Sequence, residues 1–135
     1  MKEALVSSGP KVNIVDSPIP KPGPDQVVTK VIYSGSNPKD WKVPGTIRPS
    51  NLSELHRTNS CGPGWIPNAE NLNQGDDISG IVHEVGENVV EFKKGDRVAA
   101  FHEMMTPGGS YAEYAVSWKH TTFFLPKDIS FERKH

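Results

Sequence analysis

Residues 77–101, DISGIVHEVGENVVEFKKGDRVAAF, set β-branched and aromatic residues between Gly80, Gly86 and Gly95. A glycine inside a strand run gives up side-chain packing and in return permits a bulge, a sharp bend or the close approach of a second backbone. Glycines at this spacing exclude a long helix and predict three short strands bent into a small, strongly curved barrel. Composition agrees, because twelve Gly and twelve Pro in 135 residues, with 35% hydrophobic residues, describe one loop-rich, mainly β domain.

The flanking segments extend the pattern. Residues 4–7 and 12–15 read as a β-hairpin closed by Gly9-Pro10. The run DSPIPKPGPDQ holds four prolines, each lacking an N–H donor, and so predicts an extended connector rather than a ladder strand. In QVVTKVIYSG, Val27, Thr29, Val31 and Tyr33 should share one face, with Val28, Lys30 and Ile32 on the other. Further strand signals lie around Tyr111, Tyr114 and Val116 and at 121–125, closed by Pro126, while a short helical turn is expected at 40–43. Asp96 and Arg97 read as structural, a turn residue followed by an ion-pairing arginine. Residues 45–73 are polar and aperiodic, which predicts a long, poorly ordered insert-like loop.

Charge and cysteine content narrow the function. A formal net charge of -1 with no basic run disfavours nucleic acid and anionic membrane partners, and no apolar run approaches the roughly 20 residues that span a bilayer. The single cysteine, Cys61, can form neither an internal disulfide nor a thiolate zinc cluster, which fits a reducing, cytoplasmic setting.

Elementary site chemistries are mostly absent from the pattern. His56, His83, His102 and His120 are dispersed with no C-x2-C or H-x3-H pair, and His102-Glu103 lacks the second histidine of H-E-x-x-H. No G-x-S-x-G elbow is present, and GENVVEFKKGD is not a phosphate loop because no helix follows it. The remaining unusual stretch is YSGSNPKDWKV, where a strand breaks into an Asn37-Pro38 turn beside two charges and Trp41.

Residues 75–98 fit G-x-[DE]-x-x-G-x-V-x-x-V-G-x-x-V-x-x-[FW]-x-x-G-D-R-V through Gly75, Asp77, Gly80, Val82, Val85, Gly86, Val89, Phe92, Gly95, Asp96, Arg97 and Val98. With NPKDWK and GGSYAEY, this resembles the amino-terminal GroES-like catalytic domain of the medium-chain dehydrogenase/reductase superfamily. It is most similar to the zinc-free quinone oxidoreductase and fungal trans-enoyl reductase branch. The resemblance implies a GroES-like curved β-barrel with one or two short helices over residues 1–132, with 133–135 departing from it as a truncated tail.

The resemblance also assigns positions. Zinc-dependent alcohol dehydrogenases place a cysteine ligand where Asn37 stands, an aspartate at Asp40 and a histidine ligand where Asp76 stands; the four-cysteine lobe has no counterpart. No zinc is therefore expected. In zinc-free relatives the N-P-x-D turn forms a shelf under the nicotinamide of NADPH, which carries over to Asn37, Pro38, Lys39, Asp40 and Trp41. For Lys39 a solvent-facing structural role is the simpler reading. Lys42 is the candidate catalytic residue, able to approach a phosphate or a developing enolate oxygen, and Phe101, His102 and Tyr111 are the candidate substrate contacts.

The implied activity is hydride transfer from NADPH to the activated C=C or C=O of a quinone, enone or enoyl compound. The sequence stops at SFERKH, where relatives continue towards a Rossmann domain. The fragment is accordingly expected to be inactive, not to bind NADPH alone, and to self-associate through the face the missing domain would cover. A non-catalytic binding domain, or a truncated gene-model product whose residues 45–73 are a retained intron, are the alternatives.

Overall fold

The computed structural model describes residues 1–7, 11–46 and 71–131, with residues 43–46 described by backbone alone. The expectation of a poorly ordered insert falls mostly on 47–70, outside the described residues. In chain order the elements are β1 (Lys2–Ser7), β2 (Lys11–Asp16), β3 (Gln26–Gly35), α1 (Lys39–Thr46), β4 (Asp77–Val85), β5 (Arg97–Phe101), β6 (Tyr114–Trp118), a 3-10 turn (Lys119–Thr121) and β7 (Thr122–Phe124). Strands predominate and the helices are short, as the glycine and proline content requires. Among the described residues no helix is long and apolar enough to cross a membrane.

β1 and β2 form an antiparallel hairpin with Val6 opposite Val12. The other strands make one antiparallel sheet in the order β6-β3-β4-β5-β7. The hairpin is fastened to the main body through backbone bonds alone at several points: Val6 and Leu72 exchange N–H···O bonds of 2.9 and 3.2 Å, Ala4 N–H donates to Tyr111 O at 2.8 Å, and Glu113 N–H donates to Lys2 O at 3.1 Å. Residues 17–23 carry no strand, consistent with four donors removed by proline around that stretch.

The core is a Val27, Val82, Val89, Phe92, Val98 cluster and a second cluster of Ile78, Ala100 and Ala115 joined by Val31. One sequence expectation fails here for a physical reason. The strict two-face alternation of β3 does not hold: Val27, Val28 and Thr29 are all fully buried, while Ile32 and Tyr33 are both exposed. The register against β4 slips between Val28 and Thr29 and again between Val31 and Tyr33, and such bulges curl the strand and re-aim its side chains.

The block 77–101 contains two strands rather than three. β4 runs straight through Gly80, and the stretch 86–96 is turn and loop, with Val89 and Phe92 reaching the core while Val90 between them is exposed. Gly80 is a point of close approach: a Cβ there would lie 2.0 Å from the carbonyl oxygen of Lys30 on β3. Gly86 marks a crossing, because its Cβ would lie 2.0 Å from Gly23 O, where the turn backs onto the proline connector and Gly86 N–H bonds Gln26 O at 2.8 Å. Asp96 does serve its turn, accepting Lys93 N–H at 2.9 Å. Arg97 makes no ion pair in the described structure; its guanidinium donates to the carbonyls of Lys127 and Ile129 and lies 4.3 Å from the Phe131 ring centroid, binding the carboxyl-terminal segment to β5.

α1 begins where the helical turn was expected and continues to Thr46. Asn71, Leu72 and Asn73, assigned from sequence to the insert-like loop, belong to the fold, with Leu72 and Asn73 buried.

Gly80→Ala should cost about 3 kcal/mol in urea unfolding, because the clash is with a backbone carbonyl that only separation of β3 and β4 relieves. Gly95→Ala meets open space and suffers only from its left-handed φ of +96°, about 1–2 kcal/mol. Equal unfolding midpoints for the two variants would contradict the β3–β4 contact at Gly80.

Candidate functional site

Three backbone segments converge at one end of the sheet: 34–41 leaving β3 and entering α1, 73–77 entering β4, and 109–111 before β6. Two glycines let them meet. A Cβ at Gly75 would lie 2.4 Å from Ser110 Oγ and 2.8 Å from Tyr111 N, and one at Gly109 would lie 2.6 Å from Asn73 Oδ1 and 2.7 Å from Gly75 O. The buried Asn73 rivets the crossing: its side-chain carbonyl accepts the N–H groups of Gly75 and Tyr111, each at 3.1 Å, and its amide donates to Gly109 O at 3.0 Å. Ser110 N–H donates to Gly75 O at 2.8 Å, and Ser110 Oγ lies 2.6 Å from Ser34 Oγ, which ties in the end of β3.

The Asn37-Pro38-Lys39-Asp40 turn is built on this base. Asp40 Oδ2 accepts the Asn37 backbone N–H at 2.8 Å, the reach-back bond of a helix start, and also the Tyr111 hydroxyl at 2.5 Å. The Asn37 side-chain amide donates to Asp77 Oδ2 at 3.0 Å. Lys39 Nζ lies 2.7 Å from Asp76 Oδ2, 3.0 Å from Asp40 Oδ1 and 2.7 Å from Gln74 O. Lys39 donates a hydrogen bond to the Gln74 carbonyl, and its contacts with the two carboxylates are ion pairs. Asp76 is 1% exposed and Asp40 9%, so Lys39 is the counter-charge for two carboxylates closed off from water.

Electrostatics follow from that closure. Burial pushes Asp76 above the ordinary carboxylate range, with Lys39 opposing. Burial acts on Asp40 in the same sense, but the bonds from Tyr111, Asn37 N–H and Lys39 together outweigh it and hold Asp40 low. Burial and the adjacent Asp40 carboxylate push the Tyr111 phenol well up, so it stays protonated. Burial alone would lower Lys39, yet its bonds to Asp76 and Asp40 prevail and raise it.

A cavity of about 600 Å³ opens above this floor. Val6 and Val12 of the hairpin form one wall, Pro38 and Trp41 another, and Asn37, Asp40 and Tyr111 supply the polar floor. Apolar walls with a few convergent polar groups at one end suit a small organic molecule carrying a carbonyl.

Of the residues singled out from sequence, Asn37, Pro38, Asp40, Trp41 and Tyr111 are brought together here. Lys39 is not the solvent-facing side chain that was the simpler expectation but lies in the ion cluster. Lys42 does not line the cavity; it is exposed on α1 with its ammonium 5.3 Å from the Trp41 ring centroid. Phe101 instead borders a second cavity of about 570 Å³ with Phe123 and Phe124. His102 is 2% exposed, its Nδ1 2.6 Å from Val116 O and its Nε2 3.0 Å from Thr106 O, so it fastens the loop after β5 to strand β6 and has no free face for a substrate. Asn73 and Gln74 were missed; the Asn-x-Gly spacing of an Asx turn was the available signal, obscured by assigning Asn73 to the loop.

The same geometry tests a metal. Among the described residues no group of three or more His, Cys, Asp or Glu side chains is placed to hold a metal ion. Asn37 offers no thiolate, and Asp76, at the other expected ligand position, is bonded to an ammonium. The described residues at these two positions do not fit zinc.

Residues 23–127 match the family described as alcohol dehydrogenase GroES-like domain. Trans-enoyl reductase fsr4 of Gibberella fujikuroi is 55% identical over 132 residues, which is 98% of this chain and 33% of that protein. The chain thus spans about a third of the length of that curated relative. The quinone oxidoreductase structure from Coxiella burnetii superposes with a TM-score of 0.74 at 25% identity, over 97% of this chain and 38% of that one. The Escherichia coli quinone oxidoreductase, solved in complex with NADPH, gives 0.69 at 21% identity over 98% and 35%, a likeness of fold.

The opposed shifts of the two carboxylates give a pH signature. Asp40 titrates below its ordinary 3.8 when folded, so its contribution is complete above that value and is lost as pH falls through the lower folded one. Asp76 titrates above 3.8 when folded, so its ionised form costs stability at neutral pH, and that cost is relieved as pH falls through its raised value. Asp40→Asn should therefore flatten the acid-side loss of stability, and Asp76→Asn should remove a gain at milder acidity. Urea titrations between about pH 7 and pH 2 check both, and acid limbs superimposable on the parent would contradict the assignment.

Proposed function

Because the chain belongs to the alcohol dehydrogenase GroES-like domain family, we propose that it forms the substrate-side half of an NADPH-dependent reductase acting on quinones and α,β-unsaturated carbonyl compounds. The observation that carries this reading is the cavity over the Asn37–Trp41 turn, with apolar walls and its polar groups gathered at one end. NADPH, when bound, supplies the hydride. It is held chiefly by the remainder of the reductase, so this chain alone does not retain it.

The residues of this chain position and polarise. Pro38 fixes the backbone of the turn, and Asp40 holds it by accepting Asn37 N–H. The Asn37 amide uses one hydrogen on Asp77 and has a second to offer an oxygen that gains negative charge as hydride arrives. Trp41, 63% exposed, presents a ring face to a planar conjugated system. Val6 and Val12 supply apolar contact on that side. Lys42, exposed beside the Trp41 ring and not part of the cavity lining, would offer its charge to a cofactor phosphate rather than to the reacting oxygen. The groove bordered by Phe101, Phe123 and Phe124 is assigned to contact with the rest of the reductase, and the chain by itself is expected to self-associate there.

The test uses the chain alone and the same chain joined to a nucleotide-binding domain, each offered NADPH with a benzoquinone or an enoyl thioester. Only the longer protein should consume NADPH, and Asn37→Ala in it should lower kcat/KM about 100-fold, the size of one lost oxyanion donor. A longer protein that oxidises NADPH with neither acceptor, or an Asn37→Ala variant at full rate, would reject the proposal.

A further inference from the structure

The ion cluster beneath the cavity poses a problem that is independent of the reductase reading. Asp76 and Asp40 are nearly sealed from water, and both have an oxygen within 3.0 Å of the same Lys39 nitrogen. Two carboxylates this close and this buried repel each other and lose hydration, so a compact state that holds both ionised needs a cation between them. The resemblance equates positions 37 and 76 with those that hold a divalent ion in zinc-dependent relatives, and the residues here do not fit one.

We infer that the Lys39 ammonium is a covalently tethered replacement for that ion: it balances the charge of Asp40 and Asp76, and by clamping the start of α1 to the 74–76 segment it positions Asn37 and Tyr111 at the cavity floor. Its three contacts come from both sides of the joint, Asp40 on α1 and Asp76 with the Gln74 carbonyl on the lead-in to β4. By taking Asp40 Oδ1, Lys39 leaves Oδ2 to receive both Asn37 N–H and the Tyr111 hydroxyl, which fixes the orientation of each. Lys39 is not among the residues that line the cavity, so it acts through these neighbours. A quarter of its side chain is exposed, so small cations have access once the side chain is shortened.

The experiment is denaturant and thermal unfolding of the chain and of Lys39→Met, Lys39→Arg, Lys39→Ala and Lys39→Met/Asp76→Asn. Melting of the parent should be indifferent to EDTA, zinc and magnesium. Lys39→Met should raise the unfolding constant about 100-fold, somewhat less than for a fully buried pair, and Lys39→Arg should recover part of that loss. The double variant should recover most of it, because its surviving carboxylate has no like charge beside it. Ethylammonium or magnesium at millimolar concentration should raise the melting temperature of Lys39→Ala and leave the parent unchanged. If Lys39→Met does not fold, the double variant is the deciding sample, since a failure to fold there too shows that charge balance was not the role of Lys39. Additive losses in the double variant, no cation rescue of Lys39→Ala, or a parent that retains stoichiometric zinc through chelation would likewise overturn the inference.

Discussion

The crossing of two backbones at Gly75 and Gly109, with no room between them for a side chain on either, is the constraint on which the functional end of this domain rests. The contact is between main chains, and Asn73 converts it from a steric allowance into a bonded joint by supplying acceptors and a donor to both strands of the crossing. Asp76 directly follows Gly75 and Tyr111 lies two residues after Gly109, so their side chains inherit the accuracy of the joint. The ion cluster and the cavity floor follow from where those two side chains then point.

Around this joint the fold divides its labour. The five-stranded sheet supplies rigidity through two apolar clusters, and its bulges at β3 and β4 curl it so that the ends of β3 and the lead-in to β4 face the same space. The hairpin contributes little to those clusters; it is hung on the joint by backbone bonds from Ala4 and Val6 and gives the cavity an apolar wall. A polar floor fixed by short charge-assisted bonds beneath apolar walls is an economical way to orient a carbonyl compound, since the walls supply affinity and the floor direction.

Legibility from sequence varied with the range of the interaction. The hairpin, the proline connector, the strand ending at Gly35 and the turn at Asn37-Pro38 were readable because each depends on residues a few positions apart. The three-strand reading of 77–101 failed because Gly80 looks locally like a bend, whereas it is a point where β3 comes within contact of β4, and that neighbour lies some fifty positions away in the chain. Phe101 and His102 seemed equivalent candidates as adjacent residues near a glycine loop. They diverge because consecutive residues at a strand end face opposite ways, one into an apolar groove and the other into a buried bonding pair.

The sequence by itself determined the mainly β, turn-rich architecture and the residue types of the turn: glycine and proline spacing excludes long helices, and asparagine and aspartate at positions 37 and 76 offer neither thiolate nor imidazole there. The tertiary structure alone decided what stands in that place. Lys39 reads as an ordinary surface lysine beside Asp40, and only the approach of Asp76 and the Gln74 carbonyl, brought from 35 and more residues away, makes it the central cation of the cluster. Charge pairing of this kind depends on distance in space and on exclusion of water, and neither is written in the order of the residues.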